Sequence, residues 1–294
     1  MNLSTASAPP TVPECDIAVL SVPGADAPLV LPAAYSVLSS GADAIAVRAI
    51  HGSDHETLTQ AARDLAAGQF PAPDACHTSY SMRVSYRRND TAKLTVRGYP
   101  PITDGPPADA NKAALLETGM AKADAMIICL PAERLIASAS GGSVTEGLLT
   151  LALKVRTALS SRSAPTPVVF ALTSSNPVGA ASGLSTALRP IHQLLADIAN
   201  MDHARPAVIG FDAAVGSLDA AAPLLWCLRH ASFTSPHRAG KPVHATGRPP
   251  FPGVALKSET RRIAALNVDD LLSRTSITVL PLPAEAPGAR HERT

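Results

Sequence analysis

Apolar and polar positions along this chain follow two different periods, and each change of period marks an element. Ile17–Val22, Ala125–Leu130, Val168–Leu172 and Ala207–Phe211 are short continuous apolar runs. Runs of that length, bounded by turn residues, predict strands buried on both faces. "SMRVSY" (81–86) and "AKLTVRG" (92–98) instead alternate apolar with polar, which predicts strands with one face in the core. Arg88-Asn89-Asp90 between them predicts a hairpin turn. Ile45–Ile50 reads as a strand or an extended connection.

Helical spacing fills the intervals. Ala33–Leu38 continues from the first strand as a helix that stops at Ser40-Gly41. Ser53 with Glu56 forms an S-x-x-E capping box before "ETLTQAARDLAAG", a helix that Gly68 closes. Asn111–Met120 is a further helix, and "GLLTLALKVRTAL" follows a second box made by Ser143 and Glu146. Leu184–Ile198 and "SLDAAAPLLWCLRHA" complete the set, Pro223 notwithstanding. Buried strands alternating with helices predict an α/β, three-layer fold. Its sheet is mainly parallel with helices on both faces, and the hairpin adds one antiparallel strand.

Composition refines this picture. Residues 1–14 are rich in Ser, Pro and Ala and read as a disordered leader. Residues 15–233 carry the α/β domain, and 234–294 read as a Pro/Gly-rich, partly disordered C-terminal tail. Within that tail, "LKSETRRIAALNVDDLLSRTSITVLPL" carries signals for a short helix and a short strand. At 3% aromatic residues, the core must be built from Ala, Leu, Val and Ile. A net charge of +1 gives no global attraction to nucleic acid or an acidic membrane. Cys15, Cys76, Cys129 and Cys227 form no CxxC pair, which argues against a zinc or disulfide framework. The start lacks a basic, apolar signal segment and no apolar run reaches bilayer length, so the expectation is a cytoplasmic protein.

The segment "DIAVLSVPGADAPLVLPAAYSVL" has the outline of a phosphate-binding loop: strand, Pro/Gly turn, helix. A functional loop of this kind is G-x-x-x-x-G-K-[ST], whose backbone amides wrap phosphate while its lysine neutralises the β and γ oxygens. At the corresponding distance from the strand, Ser21 stands at the first glycine and Asp26 at the second. Ala27 stands at the lysine and Pro28 at the hydroxyl residue; Gly24 occupies a variable position.

With its element order and the helix ending in "LAAGQFPAP", the chain resembles P-loop GTPases of the translation-factor and Ras-like class. It is most similar to bacterial double-GTPase domains, over about Asp16 to Ala231. The resemblance implies a D-x-x-G motif after the hairpin, where "LTVRGYPP" has Gly98 at the Asp and Pro101 at the Gly. It also implies [NT]-K-x-D after "PVVFAL", where Thr173 fits but Ser174 replaces the lysine and Asn176 the Asp. Failures coinciding at every matching place lead to the expectation of a pseudo-GTPase without nucleotide, metal or other cofactor. It would act as a scaffold or regulatory subunit, partnered by a cognate GTPase or a larger bacterial assembly. The competing reading is an active nucleotide-binding enzyme with an unorthodox site using Asp26, Asp104 and a metal. A third is an α/β adaptor with no such ancestry, distinguishable by sheet order.

Other clusters have plainer readings. His51, Asp54 and His55 have metal-ligand chemistry, but Ser53 as the N-cap would leave His51 outside the helix. "SASGGSVTE" (138–146) reads as a capped loop, and Ser174 and Ser175 lack a nucleophile elbow. The basic residues from Arg229 to Arg262 read as a solvated linker, without the aromatics of a nucleic-acid platform.

Overall fold

The strands are β1 (Glu14–Ser21), β2 (Ile45–Ala49), β3 (Ser79–Tyr86), β4 (Asn89–Gly98), β5 (Ala125–Pro131), β6 (Thr166–Thr173), β7 (Ala204–Phe211) and β8 (Thr278–Val279). In a computed structural model they join one sheet in the order β2-β3-β4-β1-β5-β6-β7-β8. The structure describes residues 12–25, 27–42, 44–69, 79–105, 109–139, 146–173, 186–201, 203–211, 217–231, 268–275 and 278–279. Strands β4, β1, β5, β6 and β7 are mutually parallel. The hairpin strand β3 runs antiparallel beside β4, the strand that ends at Gly98, as the resemblance implies. A second strand, β8, also opposes its neighbour β7, so two strands run against the majority where one is expected.

The two sides of β1 show how the layers arise. Cys15, Ile17 and Val19 enter one core, while Ala18, Leu20 and Val22 enter the other. Successive side chains of a strand point to opposite faces, so a strand apolar at every position must be covered twice. Every residue of β5 and β6 is buried. The first core lies under α1 (Ala27–Leu38), α2 (Gly52–Ala66), α7 (Leu218–His230) and α8 (268–273). The second lies under α3 (Ala110–Lys122), α4 (Ala132–Ala139), α5 (Leu148–Ser160) and α6 (His192–Ala199). This is the three-layer, mainly parallel α/β architecture.

Local departures from the sequence reading have physical causes. The hairpin turn is Arg87-Arg88, both at positive φ (48° and 68°), and Asn89 and Asp90 already belong to β4. A two-residue turn of that handedness matches the twist of the flanking strands. Ser53 is not the N-cap of α2; His51 is, and it makes no side-chain cap bond. The Ser53 carbonyl instead accepts from Thr57 Oγ1 within the helix. Gly68, at φ +72°, does close α2, with Gln69 N–H returning to the Asp64 carbonyl. Helix α5 starts after Gly147, leaving Glu146 ahead of the helix; Ser143 lies outside the described residues.

A single helix over Leu184–Ile198 is interrupted by a 3-10 turn at Arg189–Ile191, where Pro190 cannot donate its amide. Part of the segment read as a tail is built into the domain. Val268, Leu271 and Leu272 are buried in the first core. Arg229 grips Asp269 through two bonds, one of 3.0 Å, tying α7 to α8.

Candidate functional site at the carboxyl ends of the parallel strands

Parallel α/β sheets bind ligands beyond the carboxyl ends of their strands. The structure brings Ser21, Gly24, Ala27, Pro28, Gly98, Pro101 and Thr173 to that edge. Ser21 ends β1, Gly98 ends β4 opposite Val19, and Thr173 ends β6 opposite Pro131. Asp26, Ser174, Ser175 and Asn176 lie outside the described residues.

The turn after β1 is short and closed on itself. Ala25 N–H donates to the Val22 carbonyl at 3.1 Å, so this amide is used inside the turn. Pro23 and Pro28 have no amide hydrogen to offer. Pro28 sits at the second position of α1, where a proline is tolerated because helix-starting amides lack internal partners. It thereby removes a donor from the helix end that would face an anion. Pro32, one turn further on, removes another amide from the helix interior.

The cation at this turn comes from an element that the sequence reading missed. Arg134 of α4 donates from Nη1 to the Pro23 carbonyl at 3.2 Å. A Cβ built on Gly24 would lie 2.7 Å from the Arg134 Cζ, and Gly24 has φ +83°. Glycine is favoured here by the left-handed backbone, and the guanidinium that packs on it is the flexible end of a long side chain. Helix α4 follows β5 with no intervening turn residue, which is why periodicity gave no separate signal for it.

Ser21 brings an unusual feature to the same edge. Its side chain is fully buried, and its Oγ has no hydrogen-bond partner. An unmet buried hydroxyl costs about 1–3 kcal/mol. Thr173 Oγ1, by contrast, donates to the Leu130 carbonyl at 3.3 Å within the sheet.

On the β4 side, Tyr99 N–H donates to the Val19 carbonyl and Ile102 N–H to the Ser21 carbonyl, at 3.1 and 2.8 Å. The chain through Pro101 is thus zipped along β1. Asp104, offered as a metal ligand in the enzyme reading, is engaged elsewhere. It accepts from Gly147 N at 3.0 Å and from Thr150 Oγ1 at 2.9 Å, capping α5. Among the described residues no cluster of His, Cys, Asp and Glu could hold a metal ion.

His51 and His55 do not converge on a metal. His55 Nδ1 lies 2.7 Å from Tyr35 Oη, which also accepts from Ala49 N–H at 3.2 Å. The contact ties α2 to α1 and β2.

A carboxyl at the opposite edge and an imidazole in the α7 layer are strongly perturbed. Asp124 leads into β5 and exchanges bonds with Asp16: it accepts from Asp16 N at 2.8 Å and donates its own N–H to the Asp16 carbonyl at 2.7 Å. Burial pushes its carboxyl up to about 6, despite that bond and nearby Arg162. Arg162 itself caps the end of α3 through the Met120 and Ala123 carbonyls. Burial, with Arg229 adding to it, pushes His230 down to about 4, where it packs on Trp226 at 4.1 Å. Cys15, Cys129 and Cys227 are buried free thiols, and burial raises the pKa of Cys15 and Cys227. No helix among the described residues is long and apolar enough to cross a membrane. No protein-family model and no curated protein matches this chain.

Proposed function

We infer that this protein is a pseudo-GTPase: a GTPase-like domain that binds another protein and has no nucleotide chemistry. The observation that carries the reading is the turn after β1. Its Ala25 amide is spent on the Val22 carbonyl, and prolines stand at positions 23 and 28. A triphosphate needs a row of outward amides and a cation at the helix start. The closed β4–β1 zipper through Ile102 supports a region fixed in one state rather than one that moves with a γ-phosphate. In this reading Ala25–Leu29 and Arg97–Thr103 present a permanent contact surface. The partner would be a cognate GTPase or a larger bacterial assembly in the cytoplasm, with this chain as scaffold or regulatory subunit.

A second reading has one observation in its favour. Arg134 places a guanidinium against Gly24 and could serve in place of the absent lysine of an active nucleotide site. Titrating the purified chain with fluorescent GTP and ATP, with and without Mg²⁺, decides between them. The pseudo-GTPase reading expects no saturable binding up to about 1 mM, weaker than roughly −4 kcal/mol. Micromolar, Mg²⁺-dependent binding that Arg134→Ala abolishes would establish the second reading instead.

A further inference from the structure

The far end of the sheet is built differently. Ile45, Val47, Met82, Val84, Tyr86, Leu94 and Val96 line the inner face of β2–β4 in the first core. On the other face no residue of β2, β3 or β4 belongs to the second core, so that face has no helix over it among the described residues. A groove of about 790 Å³ runs across it, lined in part by Gly41, Ala44, Arg48, Arg83, Arg87 and Arg88.

The charge on this face is unevenly placed. Towards β1 every cation has a carboxylate: Lys93 with Glu14 at 3.1 Å, Arg97 with Asp16 at 3.5 Å, and Arg83 with Asp90 at 3.0 Å. Towards β2, Arg48, Arg87 and Arg88 have no carboxylate partner among the described residues. Arg48 Nε reaches only the Ser39 carbonyl at 3.4 Å, and Arg87 lies 5.4 Å over the Tyr86 ring.

Two features work against stability here. Arg48 pairs directly opposite Arg83 across β2 and β3, and like charges in that relation repel. Ala44, Arg87 and Arg88 are the described non-glycine residues with positive φ, and all three line this groove. Left-handed backbone at a non-glycine residue costs roughly 1 kcal/mol, and such outliers concentrate at functional sites. An Asn-Gly turn would have relieved it.

We propose that this groove is a docking site for an acidic, extended segment of a partner protein, whose carboxylates meet Arg48, Arg87 and Arg88. The uncompensated cations lie only on β2 and on the β3–β4 turn, about 10 Å of sheet. A nucleic-acid backbone would need a longer stripe, and the neutral ion pairs beside the patch interrupt one. The segment lies across the face and does not extend the sheet, because the outer rim of β2 is used at both ends. Ile45 exchanges two backbone bonds with Ala42, and Ala49 N–H is held by Tyr35. The proposal does not depend on whether nucleotide binds at the other edge.

The test uses the full chain and a labelled synthetic peptide of alternating glutamate and serine, followed by fluorescence anisotropy. Saturable, salt-sensitive binding is expected, absent for the glutamine counterpart of the peptide. The informative variant is Arg87→Asn with Arg88→Gly. It should raise the melting temperature by a few degrees, because the turn is relieved, while weakening peptide binding at least about tenfold. Arg48→Glu should weaken binding similarly with the fold intact by circular dichroism. Absence of saturable binding, equal affinity in the turn variant, or tighter binding of duplex DNA than of the peptide would each overturn the proposal.

Discussion

The central strands and the hairpin strands belong to one sheet but carry opposite surface chemistry. In β5 and β6 every side chain is buried, because α3–α6 lie on one face and α1, α7 and α8 on the other. In β3 and β4 burial alternates apart from the adjacent Thr91 and Ala92, and the less buried positions hold Arg83, Lys93 and Arg97 in ion pairs. The difference teaches that covering decides sequence: a strand roofed twice is apolar throughout, and a strand roofed once alternates.

The largest expected effect probes the doubly covered strands. Phe170→Ala should destabilise by about 3–5 kcal/mol in urea unfolding, whereas Ser85→Ala on the bare face should stay within ~0.5 kcal/mol. Comparable losses at the two positions would erase the distinction. Next comes Gly119 on α3, where an added Cβ would stand 1.7 Å from Tyr99 Oη. Gly119→Ala should cost about 2–3 kcal/mol, recovered in part by Tyr99→Leu in the double variant.

A carboxylate under the helices should also behave differently from one on the bare face. Asp124, raised from 3.8 to about 6, favours the folded state below pH 3.8 and loses that contribution as pH rises through 6. His230, lowered from 6.5 to about 4, contributes fully above 6.5 and loses its contribution as pH falls through 4. The two slopes oppose one another, so the wild-type profile should be shallow where they overlap. Asp124→Asn keeps an acceptor for the Asp16 amide and should stabilise by about 1–3 kcal/mol at neutral pH. That gain should vanish near pH 4. Asp90→Asn on the bare face should change stability by less than ~1 kcal/mol at any pH. The smallest effect is at Ser21, where Ser21→Ala should stabilise by about 1 kcal/mol by removing an unmet hydroxyl.

Much of the fold was legible because hydrophobic period reports covering directly. The unbroken runs of β5 and β6 and the alternation of β3 and β4 specified which strands lie centrally. What escaped the sequence reading depends on contacts distant along the chain. Arg134 reaches Pro23 across 111 positions, and Asp104 caps α5 from 43 positions before Gly147. No local pattern encodes either. The hairpin turn was misplaced by one residue because Asn-Asp is the stronger turn signal, yet the register puts Tyr86 opposite Asn89. Residues 268–272 lie in the stretch of the tail that carries a short-helix signal, but the burial of Val268, Leu271 and Leu272 in the first core depends on contacts that no local pattern shows. At the candidate site, position and residue type were readable from spacing alone, whereas the self-bonded turn was visible only in three dimensions.

The central claim is that the turn after β1 cannot hold a triphosphate. Amide NMR of the labelled chain, titrated with GTP and Mg²⁺, reads that turn directly through the resonances of Gly24, Ala25 and Ile102. The account expects those signals to stay in place up to about 1 mM nucleotide, the limit of roughly −4 kcal/mol. Saturating shifts centred on Gly24 at micromolar GTP would contradict it.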